Sequence, residues 1–220
     1  MSARMAFDTE LANLQAELVK MGAMVEQSIN RSIHALKSGN RELAQMIIDG
    51  DHSVDDMEKS IESHCLGLLL RQQPVARDLR SISAALKIIT DMERIGDHAA
   101  DIAEISMHLS GESITAIAQH LEDMSSAAVE MLHSSIDAYV RTDITLAKQT
   151  ILQDDVVDAL FLKVRDEITE LIRTDAQKAS AAIDGMMVAK YLERIGDHAV
   201  NICEWVLFYT TGEHKHTRIL

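Results

Sequence analysis

Seven consecutive residues, Glu93-Arg94-Ile95-Gly96-Asp97-His98-Ala99, return unchanged as Glu193-Arg194-Ile195-Gly196-Asp197-His198-Ala199 later in the same chain. Chance does not easily produce such a string in 220 residues, so the chain reads as two copies of one unit. The match continues more loosely, with Asp101-Ile102-Ala103-Glu104 against Asn201-Ile202-Cys203-Glu204. Packing alone would repeat apolar positions. Here acidic positions repeat as well, which points toward chemistry.

Each copy lies late in a long apolar-periodic segment. From about Phe7 to Leu36, Leu11, Leu14, Leu18, Met21, Val25, Ile29 and Ile33 fall at three- and four-residue steps, the pattern of one helix face. Ser38-Gly39-Asn40 ends it. A second helix is expected from about Arg41 to Leu70, and a third from Pro74, where a missing N–H is harmless in a first turn, to about Leu109. The second half repeats the plan at about Ile114 to Val140, Ile144 to Arg173 and Asp175 to Tyr209. A helix of about 30 residues extends about 45 Å. Such rods, joined by short links, bury their stripes only by lying nearly antiparallel. The expected fold is therefore all-α: six long helices in two tandem, pseudo-repeated three-helix bundles, with one domain over residues 1–110 and the other over 111–220.

Composition agrees. One proline, few aromatic residues and abundant Ala, Leu, Ile, Met, Glu and Lys favour helix over sheet. Asp and Glu outnumber Lys and Arg 35 to 21, a formal charge of −14 that disfavours nucleic acid or an anionic membrane surface as partner. No stretch approaches the apolar length of a membrane span and the N-terminus lacks a signal-like pattern, so the expectation is a cytoplasmic protein. Cys65 and Cys203, isolated inside helical patterns, read as buried thiols.

On the third helix of the first half, Glu93, Asp97 and Asp101 follow one another at four-residue steps and line one stripe, neighbours about 6 Å apart. The second copy offers Glu193, Asp197 and Asn201, where an amide keeps an oxygen donor and removes a charge. The preceding helices supply facing pairs, Asp51 with Asp55 and Asp154 with Asp158. If successive helices face each other, four or more carboxylates converge in each half. Such crowding calls for compensation by cations, and oxygen-rich coordination favours Fe, Mn, Mg or Ca over thiolate-bound Zn. Glu58, Glu62, Glu104 and Glu204 are candidate peripheral ligands. A competing reading is a solvated acidic face, or pairing of Asp97 and Asp197 with Arg94 and Arg194, which predicts no metal.

Gly96 and Gly196 cost helix stability, about 1 kcal/mol against alanine, so a close approach at each is expected. His98 and His198 are phased away from the acidic stripe and read chiefly as donors beside it, with direct ligation the lesser reading. Arg77 and Arg80 are expected to pair with acidic residues of an adjacent helix, or else to serve in docking. Trp205, Phe208 and Tyr209 are expected to close the second core or to meet a partner; His214 and His216 belong to a polar tail. No Glu-x-x-His, His-Glu-x-x-His, phosphate-loop or nucleophile-elbow motif is present in the acidic core motifs, so catalysis lacks support. The alternative kept open is a metal-dependent phosphoester hydrolase, in which bound metal would activate water.

The segment Gln73-Pro74-Val75-Ala76-Arg77-Asp78-Leu79-Arg80, with Ile89-Thr90-Asp91-Met92 ahead of the first repeated string and Tyr191-Leu192 ahead of the second, closely resembles the PhoU family of bacterial phosphate-signalling regulators. The resemblance runs from about residue 7 to Glu213. It implies a cytoplasmic accessory protein that works with the ATPase of the high-affinity phosphate ABC transporter and with a membrane sensor histidine kinase. Its implied role is negative regulation of the phosphate-starvation response and of phosphate uptake. It also implies paired three-helix bundles, a homodimer, and multinuclear sites for divalent or trivalent ions (Fe, Mn, Mg or Zn). Those sites fall on Asp51, Asp55, Glu93, Asp97 and Asp101 in one half, and on Asp154, Asp158, Glu193, Asp197 and Asn201 in the other.

Overall fold

The structure, a computed structural model, describes residues 3–71, 74–109, 115, 117–214 and 217–218. The chain is helical almost throughout: α1 (Ala3–Ser38), α2 (Arg41–Gly50), α3 (His52–Arg71) and α4 (Ala76–Ser106), then α5 (Ala118–Arg141), α6 (Ile144–Thr174) and α7 (Ala179–Thr211). The expected boundary between the halves, at 110 and 111, lies outside the described residues.

The junctions follow local chemistry. Gly39, with φ +64°, turns the chain out of α1, and the Asn40 side chain accepts from Leu43 N–H to start α2. In the second half Thr142 takes the left-handed conformation, and Asp143 accepts from the N–H groups of Thr145 and Leu146. Each cap satisfies backbone donors that a helix start leaves over.

Three details differ from the sequence expectation. The second rod is divided: Gly50 weakens the helix, and at Asp51 the bonding tightens, with Asp51 N–H donating to Ile48 O and Val54 N–H to Asp51 O, before α3 resumes. Pro74 precedes the third rod instead of opening it, since Val75 is extended and α4 starts at Ala76. The last rod begins after a single 3₁₀ turn, Ala176–Lys178, and the tail adds a two-stranded ladder, Glu213–His214 with Thr217–Arg218. That ladder lays His214 against Trp205, ring centroids 3.9 Å apart.

The helices surround one continuous apolar core that runs through both halves, from Leu14 and Leu18 of α1 to Val206 and Phe208 of α7. A small separate cluster, Ala35, Ala44, Ile47 and Ala103, seats α2 between α1 and α4. The halves meet along α4 and α7, which run antiparallel: Arg80 Nε donates to Tyr209 O at 3.1 Å, and further along His198 Nδ1 lies 2.8 Å from Asp91 Oδ1. Among the described contacts Arg80 thus engages the last turn of α7 by a hydrogen bond, and Arg77 lies over the Tyr209 ring at 6.0 Å. Cys65 and Cys203 are free and buried. No described helix is long and apolar enough to cross a membrane.

Candidate functional site

The repeated glycines locate the acidic residues. A Cβ on Gly96 would stand 3.2 Å from Val54 and 3.5 Å from Asp51 Oδ1. A Cβ on Gly196 would stand 3.1 Å from Asp154 Oδ1 and 3.6 Å from Val157. In both halves the missing side chain therefore lets the preceding helix come close and leaves room for one carboxylate. The two expectations for these glycines, helix packing and crowding by acidic groups, hold together.

In the first half, Asp51, Asp55 and Asp97 each offer an oxygen such that the three atoms lie within 4.8 Å of one another. Two come from the start of α3 and its preceding turn, the third from the middle of α4. Burial, followed by the charges of Asp97, Asp55 and Asp101, pushes the Asp51 carboxyl up to about 6. Burial and then Asp97 raise Glu93 as well, against the lowering effect of Arg94. Arg94 bridges outward to Asp97 at 3.1 Å and to Glu93 at 3.4 Å, so the pairing foreseen as a competitor coexists with the cluster. That bridge is exposed and weak in water.

In the second half the acidic residues are again electrostatic neighbours, but the described carboxylates include no such triad. Asp154 on α6 is pushed up to about 6 by burial and then by the charges of Asp158, Asp197 and Glu193. Asp197 is raised by burial and Glu193, and lowered by Lys190. Lys190 forms an ion pair with Glu193. Asn201 also reaches across the junction of the halves: its amide N–H donates to Asp91 Oδ1 of α4 at 3.3 Å. Asp101, its counterpart, contacts His98 Nδ1 at 3.3 Å within α4, while its charge is still felt at Asp51.

The two histidines face the α4–α7 junction. His98 is buried, stacks on Tyr191 at 5.4 Å and lies 5.7 Å from the His198 ring, and burial lowers its proton affinity. Asp91 is distinguished by its position in the folded chain, opposite His198 and Asn201. In the sequence it is a departure between the copies, since the second has Tyr191 at the matching place just ahead of the identical string.

The donor set suits a hard cation. Carboxylate oxygens from two helices converge, they raise one another's proton affinity, and no thiol takes part, since both cysteines are buried in the core.

The comparisons agree with this architecture. The PhoU domain family matches residues 18–106 and again 121–206, once in each half. The phosphate-specific transport system accessory protein PhoU homolog of Clostridium acetobutylicum is 38% identical over 211 residues, covering 96% of each chain. The Escherichia coli K12 accessory protein PhoU is 30% identical over 94% of this chain and 86% of its own. Among solved structures, PhoU from Pseudomonas aeruginosa superposes with a TM-score of 0.88 at 32% identity, over 94% of this chain and all of the other. The phosphate transport system regulatory protein PhoU from Streptococcus pneumoniae gives the same score at 27% identity. With a duplicated domain match, whole-length relatives and a common fold, this chain belongs to the PhoU family.

Proposed function

We propose that this protein is a cytoplasmic regulatory adaptor of phosphate uptake. It couples the ATPase of a high-affinity phosphate ABC transporter to a sensor histidine kinase and represses the phosphate-starvation response when phosphate is plentiful. The observation that carries this reading is the PhoU-domain match in both halves, with relatives named as phosphate-specific transport system accessory proteins along nearly their whole length. On this reading residues 1–110 and 111–220 are two domains of one regulator that acts by contact, without turnover, and assembles as a homodimer.

Asp51, Asp55, Glu93, Asp97 and Asp101 would hold cations in the first half, with Asp154, Asp158, Glu193 and Asp197 doing so in the second and Asn201 supplying an amide oxygen. A bound Fe, Mn, Mg or Zn ion would supply positive charge where α3 meets α4 and where α6 meets α7. The convergence of Asp51, Asp55 and Asp97 supports the assignment in the first half. The residues themselves set the geometry: Gly96 and Gly196 admit the carboxylates, and Arg94 and Lys190 hold the outer ones.

The test is deletion of the gene followed by a reporter of the phosphate-starvation response in high phosphate. Constitutive expression is expected, reversed by the intact chain; normal repression in the deletion strain would refute the adaptor. Elemental analysis of protein purified without added metal tests the cation assignment separately.

A further inference from the structure

The two acidic clusters share a framework and differ in what surrounds it. Val54 meets Gly96 as Val157 meets Gly196, which matches α3 to α6 and α4 to α7 residue for residue. On that match Asp51, Asp55, Glu93 and Asp97 correspond to Asp154, Asp158, Glu193 and Asp197, while three neighbours change. Glu58 is matched by Phe161, Thr90 by Lys190 and Asp101 by Asn201. Each change leaves the second cluster less negative than the first.

Two of the changes act as a unit. In the first half Thr90 Oγ1 donates to Glu58 at 3.2 Å, and Glu93, raised by burial and then by Asp97, feels the Glu58 charge as well. In the second half Lys190 forms an ion pair with Glu193, and its Nζ lies 5.5 Å from the centre of the Phe161 ring. An aromatic face attracts a cation, so Phe161 helps to hold the ammonium where the pair forms. Glu193 is only 16% exposed, which shelters that pair from water. Lys190 also reaches Asp197, which burial and Glu193 raise and Lys190 lowers.

The repeated arginines do not supply the same device. Arg94 bridges Glu93 and Asp97 from the solvent side at 57% exposure, a contact that water weakens. Arg194 acts at the junction instead, where its charge adds to burial in lowering His98 and offsets burial at Tyr191. Among the described residues only the first half brings three carboxylate oxygens within 4.8 Å of one another. A divalent ion is held more tightly as the charge of its ligands grows, and less tightly beside a fixed positive charge.

We infer that Lys190 is a tethered cation that sets the order of metal loading: its ammonium occupies part of the second cluster, so divalent ions fill the first half first and enter the second by displacing Lys190 from Glu193. This rests on the cation assignment proposed above and gives the two halves unequal parts, a tight site and a weaker, exchangeable one.

Full-length protein freed of metal by chelation is titrated with Mn²⁺, the free ion being read by its paramagnetic resonance signal, and circular dichroism verifies the fold of each variant. Wild type is expected to show a tighter class of sites, lost in Asp97→Asn, and a weaker class, lost in Asp197→Asn. Lys190→Met keeps a long stem beside Phe161 and removes the charge. In it the weaker class is expected to tighten by about tenfold or more with the tighter class unchanged, whereas Lys190→Arg stays close to wild type. Adding Asp197→Asn to Lys190→Met is expected to abolish the gain. A Lys190→Met titration equal to that of wild type, or weaker, overturns the role of Lys190, as does loss of the tighter class in Asp197→Asn instead of Asp97→Asn. Absence of Mn²⁺ binding in wild type and Lys190→Met alike defeats the cation assignment itself.

Discussion

Asp91 of α4 accepts from both His198 and Asn201 of α7, at 2.8 and 3.3 Å, and so ties the two halves together at their junction. The three side chains are largely shielded from water, with Asp91 15% exposed and His198 22%. At the equivalent positions on the other side of the junction stand Tyr191 of α7 and His98 and Asp101 of α4, joined by ring stacking and a contact within one helix. The junction is therefore polar on one side of its approximate dyad and aromatic on the other.

Removing the acceptor leaves two donors without their partner. Asp91→Ala is expected to lower stability by about 1–3 kcal/mol, and Asp91→Asn by less because it keeps one acceptor oxygen. Urea denaturation of the three proteins measures this; equal midpoints would show that the bridge contributes nothing to holding the halves together.

Gly196→Ala opposes two effects. Alanine gains up to about 1 kcal/mol of helix propensity, but its Cβ would press on Asp154 Oδ1 at 3.1 Å. The expected result is a protein of unchanged helicity whose Asp154 is displaced and whose second half binds Mn²⁺ more weakly. Calorimetric titration against Gly196→Ala and wild type decides; identical isotherms would separate the glycine from the carboxylate site.

Asp51 gives the metal-free protein a pH dependence. Its carboxyl holds a proton up to about 6 in the folded chain and only to about 4 when unfolded. A raised folded value favours the folded state at low pH, a contribution fully present below about 4 and lost as pH rises through about 6. Metal-free protein should thus lose stability on going from pH 4 to 7, in part through Asp51. Because the side chain is only partly shielded from water, the contribution is discounted to about 1 kcal/mol. Asp51→Asn should raise the melting temperature at pH 7.5 by about 2–4 °C and flatten its pH slope, as followed by scanning calorimetry after chelation. A lower melting temperature for the variant would contradict the repulsion inferred at this site.

A second repeated contact has exchanged its partners. Glu17 of α1 meets His64 of α3 at 2.8 Å, whereas His120 of α5 meets Glu167 of α6 at 3.0 Å. The four residues occupy matched positions, so the pair has been kept and its two members swapped. Glu17→His alone is expected to destabilise by less than about 1 kcal/mol, and adding His64→Glu should restore much of that loss. A double-mutant cycle by thermal melting tests the coupling; additive effects would mean that the two contacts are independent of their charge.

The sequence alone determined the helical architecture, the duplication, and the candidate status of the acidic pairs. Periodic apolar positions and i, i+4 spacing are properties of one helix at a time, and the repeated string is visible without any fold. It could not reveal that Asp51 turns toward Gly96, that Asn201 spends its amide on Asp91, or that α2 and α3 part at Asp51, because each depends on which helix lies alongside. Arg80 shows the same limit: its charge suggested an acidic partner, and the antiparallel crossing of α4 and α7 supplied a backbone carbonyl instead. Local spacing settles which residues share a face; only packing between rods settles what that face meets.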